Sequence, residues 1–212
     1  MTDDRSIAKS GATLAVIAAI CTALVAGTYQ MTAARIAANE KALLERSLQP
    51  ALAGVFYDSS VTESRLILEP PHGLPGTDPA LIYRVYSKQQ AVAALFVVTA
   101  RGGYSGPIRI LLGVDMDGVV TGLRILEHRE TPGLGDRIES SRSDWVLQFD
   151  GRSIGDPVIT GWSIKGDGGE FDQLTGASIT PRAVINAVRD TLIYFSEHRD
   201  DIFATSATEV SE

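Results

Sequence analysis

From Ser10 to Ala34 the chain carries no formal charge, and that stretch constrains its beginning more than any other feature. At about 1.5 Å per residue the run would extend roughly 37 Å as a helix, more than the ~30 Å hydrocarbon core of a bilayer. Tyr29 stands where an interfacial aromatic is expected. A cleaved signal peptide has a shorter apolar region, about 7–15 residues, behind a positive head. Here the head contains Asp3 and Asp4, and the best cleavage site is a weak Val25-Ala26-Gly27. The reading is a retained signal anchor: a short cytoplasmic head over 1–9, then a single transmembrane helix over 10–31. Cys21 follows the bulky Ile20, which argues against lipid modification and leaves it as a small packing residue. Orientation does not follow from charge, since Arg5 and Lys9 lie before the run and Arg35, Lys41 and Arg46 after it. A short head and a long following chain favour the domain outside the cytoplasm.

The whole chain has 212 residues and a formal net charge of -7. That length allows one ordinary domain beside the anchor. The acidic balance provides no basic stripe for nucleic acid. One cysteine excludes a disulfide framework and a multi-cysteine metal or iron–sulfur site. His72, His128 and His198 are scattered without ligand spacing, so no intrinsic metal site is expected.

Behind the anchor, Ile36, Leu43, Leu44 and Leu48 recur at helical spacing, and a stalk or packing helix is expected over 32–52, ending near Pro50. The domain is expected over 53–199. Leu66–Leu68 is a short strand candidate, and the Pro- and Gly-rich stretch to Pro79 an irregular connection. Leu81–Tyr86 and Ala91–Thr99 flank a polar turn and read as a hairpin. Ile108–Val114 and Val119–Glu127 flank Asp115-Met116-Asp117-Gly118, whose Asp-Gly pair is a strong hairpin indicator. A helix is expected over 140–149, a strand over 154–162 and a Gly-rich loop over 161–169. From Pro181 the positions Val184, Ile185, Val188, Leu192, Ile193 and Phe195 fit a terminal amphipathic helix, followed by a frayed polar tail over 200–212. Strand runs with flanking helices point to an α+β domain around an antiparallel sheet.

The chemistry concentrates in Asp172-Gln173-Leu174-Thr175-Gly176-Ala177-Ser178-Ile179-Thr180-Pro181. Thr180 as N-cap and Pro181 at the first helical position would open the last helix. Its unpaired N–H groups and positive end would face an anion held near Thr175–Ile179. Gly176 and Ala177 leave little side-chain bulk against a large group. On physical grounds alone, a capped helix preceded by a small-residue turn explains the same residues.

Asp172 to Ser178 resembles the Asp-x-x-(Ser/Thr)-Gly-Ala-(Thr/Ser) sequence at which a flavin transferase attaches FMN through a phosphoester. Glu130-Thr131-Pro132-Gly133-Leu134-Gly135 resembles the second hallmark of the same FMN-binding domains. With one N-terminal anchor, the chain is similar throughout to the G subunits of Rnf/Rsx electron-transport complexes, relatives of the C subunit of the sodium-pumping NADH:quinone reductase. The resemblance implies one covalent FMN per chain, esterified to Ser178 where the family usually has Thr. It gives Thr175, Gly176 and Ala177 to the attachment sequence and Asp172 to recognition by the transferase. Thr131, Gly133, Leu134 and Gly135 would line the isoalloxazine, with Leu134 against its face; His128 and Glu130 receive no role. It implies a single-pass protein of the bacterial inner membrane with its domain in the periplasm, other membrane subunits of an Rnf-type complex as partners, and a flavin transferase for maturation. Such a complex couples electron transfer between ferredoxin and NAD to ion movement, so this chain would relay electrons without being a complete enzyme.

Ser10-Gly11-Ala12-Thr13 also spells Ser-Gly-Ala-Thr, but Ile7 stands where the acid belongs, and no flavin is expected there. Two other readings compete with the flavoprotein: a non-redox binding or assembly module on the same fold, and an anchored solute-binding domain.

Overall fold

The computed structural model describes residues 14, 15, 17–19, 21, 22, 45 and 48–204. Met1–Leu44 and Glu45–Glu212 are separate units. In the first, the described residues are helical and exposed, Leu14 and Ile17 among them. Among the described residues no helix is long and apolar enough to cross a membrane. The head over 1–9, most of the span over 10–31, the Ser10–Thr13 repeat of the motif and most of the stalk over 32–52 fall outside them, as do residues 205–212.

The second unit begins at Glu45, so residues 45–52 belong with the domain. A 3-10 turn, Gln49–Leu52, has Pro50 in its first turn, where a missing N–H costs nothing. Five strands follow: β1 (Arg65–Leu68), β2 (Ala80–Ser87), β3 (Gln90–Ala100), β4 (Ile108–Asp115) and β5 (Val120–Glu127). They form an antiparallel sheet in sequence order. The β2–β3 hairpin is tighter than its sequence suggests. Lys88 and Gln89 both take positive φ, 49° and 67°, the backbone of a two-residue primed turn. Asp58 stabilises it by accepting the Lys88 N–H at 3.0 Å. At the β4–β5 turn Asp115 Oδ1 accepts the N–H groups of Asp117 and Val119, each at 2.9 Å.

Period-two alternation gives the sheet two buried faces. Ile82, Phe96, Ile110, Leu112 and Leu123 face the core shared with the terminal helix; Tyr83, Val85, Leu95 and Leu111 pack with Leu48, Ala51, Leu52 and Val61. Gly113 and Gly122 are paired in register. A Cβ on Gly122 would stand 2.7 Å from the Pro50 carbonyl, so these bare positions let the 3-10 turn lie on the strands. Thr121 Oγ1 then donates to the Ala51 carbonyl at 2.6 Å.

The terminal helix, α1, spans Ile179–Ala204 and buries Val184, Ile185, Val188, Leu192 and Phe195. It continues into the stretch expected as a polar tail because that stretch has its own buried contacts. Ile202 is in the core, and Phe203 meets Tyr86 edge-on at 6.1 Å. Between β5 and α1 the chain is irregular but anchored. The helix expected over 140–149 is a 3-10 helix, Asp144–Phe149, capped by Ser143 Oγ accepting the Trp145 N–H at 3.2 Å. No strand forms over 154–162. Gly155, Pro157 and Gly161 interrupt that run, Val158 and Ile159 are exposed, and only a 3-10 turn, Ile159–Gly161, is present. Trp162 instead joins Trp145, Phe149 and Phe171 in an aromatic cluster, with Phe149 stacked on Phe171 at 4.8 Å.

Phe96 is fully buried and meets Phe195 of α1 edge-on at 5.9 Å. Phe96→Ala is expected to cost about 3–5 kcal/mol, read as a lower denaturant midpoint in unfolding followed by tryptophan fluorescence. An unchanged midpoint would mean that the helix–sheet interface does not depend on this contact.

Candidate functional site

The stretch expected to carry chemistry begins at a fixed point. Phe171 lies in the aromatic cluster. The Asp172 backbone is held on both sides: its carbonyl accepts the Trp145 Nε1–H at 2.6 Å, and its N–H donates to Gln148 Oε1 at 2.7 Å. Leu174 is buried. A turn follows, in which the Ala177 N–H returns to the Leu174 carbonyl at 3.0 Å and Gly176 has φ +79°. Positive φ at the third residue is what a type II turn requires, and glycine supplies it without strain.

The second loop has the same construction. The Leu134 N–H donates to the Thr131 carbonyl at 3.1 Å, Pro132 occupies the second position, and Gly133 takes the third with φ +79°. The two turns face each other: a Cβ on Gly176 would come within 3.1 Å of Leu134 Cδ2. Between them lies a cavity of about 340 Å³ lined by Tyr104, Glu130, Thr131, Leu134, Gly135 and the run Gly176–Thr180. That volume is at the small end for ligand sites.

Helix α1 forms one end of this cavity, and its start differs from the sequence expectation. The Arg182 N–H donates to the Ser178 carbonyl at 3.4 Å, which puts Ser178 at the N-cap and Thr180 and Pro181 inside the first turn. Thr180 is fully buried, and its hydroxyl donates to Glu130 Oε2. Proline is tolerated there because first-turn N–H groups have no helical acceptor. Ser178 is half-buried on the cavity wall. Arg182 makes a bidentate pair with Asp167 at 2.6 and 2.8 Å, tying the Gly-rich loop to the same turn. The Arg182 guanidinium holds the Asp167 carboxyl below its ordinary range.

Of the residues expected in the site, Thr131, Leu134, Gly135, Gly176, Ala177 and Ser178 line one cavity. Gly133 and Thr175 shape the two turns without lining it. Asp172 opens onto a separate groove with Trp145, Gln148 and Lys165, where its carboxylate pairs with Lys165 Nζ at 2.6 Å. Tyr104, Glu130 and Thr180 were not expected there. Tyr104 lies in a short Gly-Gly-Tyr-Ser-Gly loop between strands, and only an aromatic exposed among glycines hinted at it.

A polar network supports the Thr131–Leu134 turn from behind. The Glu130 N–H donates to His128 Nδ1 at 3.0 Å, so His128 Nε2 carries the proton and donates to Glu139 at 2.6 Å. That hydrogen bond, more than any other cause, holds the Glu139 carboxyl below its ordinary 4.5. Asp136, buried beside it, has Oδ2 3.1 Å from Arg142 Nη1 without hydrogen-bond alignment, and Oδ1 has no partner.

The fold and cavity define an FMN-binding-domain protein, and the FMN-binding domain model matches residues 103–193, which hold both turns. The RnfG N-terminal region model matches residues 1–50. The chain is 42% identical over 202 residues to the G subunit of the ion-translocating oxidoreductase complex of Pseudomonas aeruginosa, covering 94% of each. It is 43% identical over 192 residues to the corresponding G subunit of Salmonella typhimurium, covering 90% of this chain and 91% of that one. It therefore belongs to the family of G subunits of ion-translocating oxidoreductase complexes. The fold is shared with the crystal structure of Shewanella oneidensis NqrC at a TM-score of 0.55 and 17% identity, over 79% of this chain and 100% of that one.

Two outcomes follow from this geometry. Gly133→Ala and Gly176→Ala both force a side chain to positive φ, at a cost of about 1–3 kcal/mol each; Gly176→Ala, which also presses on Leu134, should lose more in urea unfolding. The Glu139 contribution to stability is present above its ordinary 4.5 and is lost as pH falls through the depressed folded value. Glu139→Gln should therefore flatten the acid side of the stability profile below pH 4.5, measured by thermal melts across pH.

Proposed function

We propose that this chain is a membrane-anchored flavoprotein that carries one FMN, esterified to Ser178, and relays electrons within an Rnf-type ion-translocating complex. The observation that carries the reading is the meeting of two type II turns around one cavity whose wall includes the Ser178 hydroxyl at a helix start. The residues fit the group. First-turn N–H groups of α1 and the positive helix end suit a phosphate, Leu134 offers an apolar face, and the turn backbone offers polar edges. When bound, the flavin supplies the redox chemistry.

Each residue has a defined part in this proposal. Ser178 Oγ would attack the flavin-bearing phosphorus of a flavin dinucleotide supplied by the transferase. The phosphoester bond would form as the pyrophosphate P–O bond breaks, and the nucleoside monophosphate would leave, with the serine proton taken up by solvent or by the transferase. Gly176 and Ala177 keep the approach open. Thr180 is not the attachment oxygen, since it is buried and its hydroxyl is committed to Glu130. Asp172 and Lys165, exposed on the neighbouring groove, face the transferase. The names of the relatives and the 25-residue uncharged run over 10–34 support a bacterial inner-membrane location with other members of the complex as partners. The domain is placed in the periplasm, where covalent linkage keeps a cofactor that cannot be replenished from the cytoplasmic pool.

Co-expression with an active flavin transferase tests the attachment. A denaturing gel under ultraviolet light should show a fluorescent band whose intact mass includes one FMN phosphoryl group. Ser178→Ala should abolish both, while Thr180→Val and Thr13→Ala keep them. A dark band of unmodified mass would sink the proposal and leave a non-redox binding or assembly module on the same fold.

A further inference from the structure

Glu130 is a carboxylate enclosed in the cavity wall, only 4% exposed. Three segments converge on it. Ser105 donates its N–H to Oε1 at 3.0 Å, and the Thr180 hydroxyl donates to Oε2. A Cβ on Gly103 would stand 2.9 Å from Oε1, and one on Gly135 2.8 Å from Oε2. Two glycines thus leave the space it fills. Each oxygen has one hydrogen-bond partner. Among the described residues no Lys, Arg or His forms an ion pair with it. Its compensation is two hydrogen bonds and the positive end of α1, whose first turn contains Thr180.

We propose that Glu130 is a positioning residue that sets the flavin's redox potential, holding a negative charge in the wall of the same cavity as Ser178. The proposal rests on the reading of that cavity as the FMN site. Reduction of the ring adds two electrons, delivered by the iron–sulfur carrier class that feeds such a complex. Unless two protons follow, negative charge gathers on the ring. A fixed anion in a water-poor wall opposes that charge more strongly than one in solvent would. Glu130 therefore lowers the potential. The helix end that offsets the carboxylate also receives the proposed phosphate, so the two anions share one positive terminus.

The test uses the full chain, wild type, Glu130→Gln and Thr180→Val, each co-expressed with the transferase. Loading is read by gel fluorescence and intact mass, and midpoint potential by spectroelectrochemical titration. Glutamine keeps the shape, and the Thr180 hydroxyl can accept from its amide, so the contact survives with its direction reversed. The expected result is wild-type loading with an upward shift of the midpoint potential in Glu130→Gln. Thr180→Val, which keeps the charge, should show no upward shift. An unchanged potential in loaded Glu130→Gln overturns the proposal. An equal upward shift in Thr180→Val overturns it too, because packing rather than charge would then be responsible. Loss of loading in Glu130→Gln alone also overturns it, since the charge would serve attachment instead. A wild type that takes no flavin overturns the attachment reading first, and this one with it.

Discussion

The hydrogen bond from the Thr180 hydroxyl to the Glu130 carboxylate joins segments fifty residues apart in the chain, and it links the two loops that carry the cavity. One partner stands just beyond β5 and the other in the first turn of α1. The sheet alone does not bring them together, since the chain between them is irregular. The apolar rows of α1 fix where the helix lies on β3 and β4, and the Thr180–Glu130 contact fixes its first turn against the Thr131–Leu134 turn. Behind Glu130, its N–H reaches His128 and His128 reaches Glu139. Two hydrogen-bonded segments thus meet at Glu130, one through its backbone N–H to His128 and Glu139 and one through its carboxylate to Thr180. Glu130 and Thr180, both buried, compensate each other's polar groups.

The sheet was legible because period-two alternation and turn chemistry are local. Asp115 and Gly118 identify the β4–β5 turn by themselves, and Leu95, Phe96, Val97 and Val98 suit a strand buried on both faces. The helix start was less legible. Thr180-Pro181 is a common opening pair, but Ser178 is an equally good cap, and the choice between them was made by a residue far away. Glu130 attracts the Thr180 hydroxyl, so Thr180 enters the first turn and the cap moves to Ser178. Nothing near Thr180 encodes that. Glu130 itself stands in Glu127-His128-Arg129-Glu130, a polar run that reads as solvated surface until Gly103, Ser105 and Gly135 fold around it.

The missing strand over 154–162 has a related cause. Val158, Ile159 and Trp162 have strand composition, yet the segment's task is to deliver Trp162 to the aromatic cluster. That cluster holds Phe171, and with it the entry to the Asp172–Ser178 stretch. From there the turn is held by backbone groups at Asp172, by burial of Leu174, and on its far side by the Arg182–Asp167 pair. A loop fixed at so many points presents its exposed residues in one arrangement. The price of that order was met before any ligand arrives, which favours binding.

Within the proposed attachment, a serine rather than a threonine at 178 has a definite physical consequence. Serine and threonine are both good N-cap residues, so the helix start tolerates either. What serine lacks is the methyl group that stiffens χ1. With threonine, part of the aim of the oxygen resides in the side chain. With serine it must come from the backbone, from the Leu174–Ala177 turn on one side and the first turn of α1 on the other. In that proposal, rigid backbone takes the place of a rigid side chain at 178.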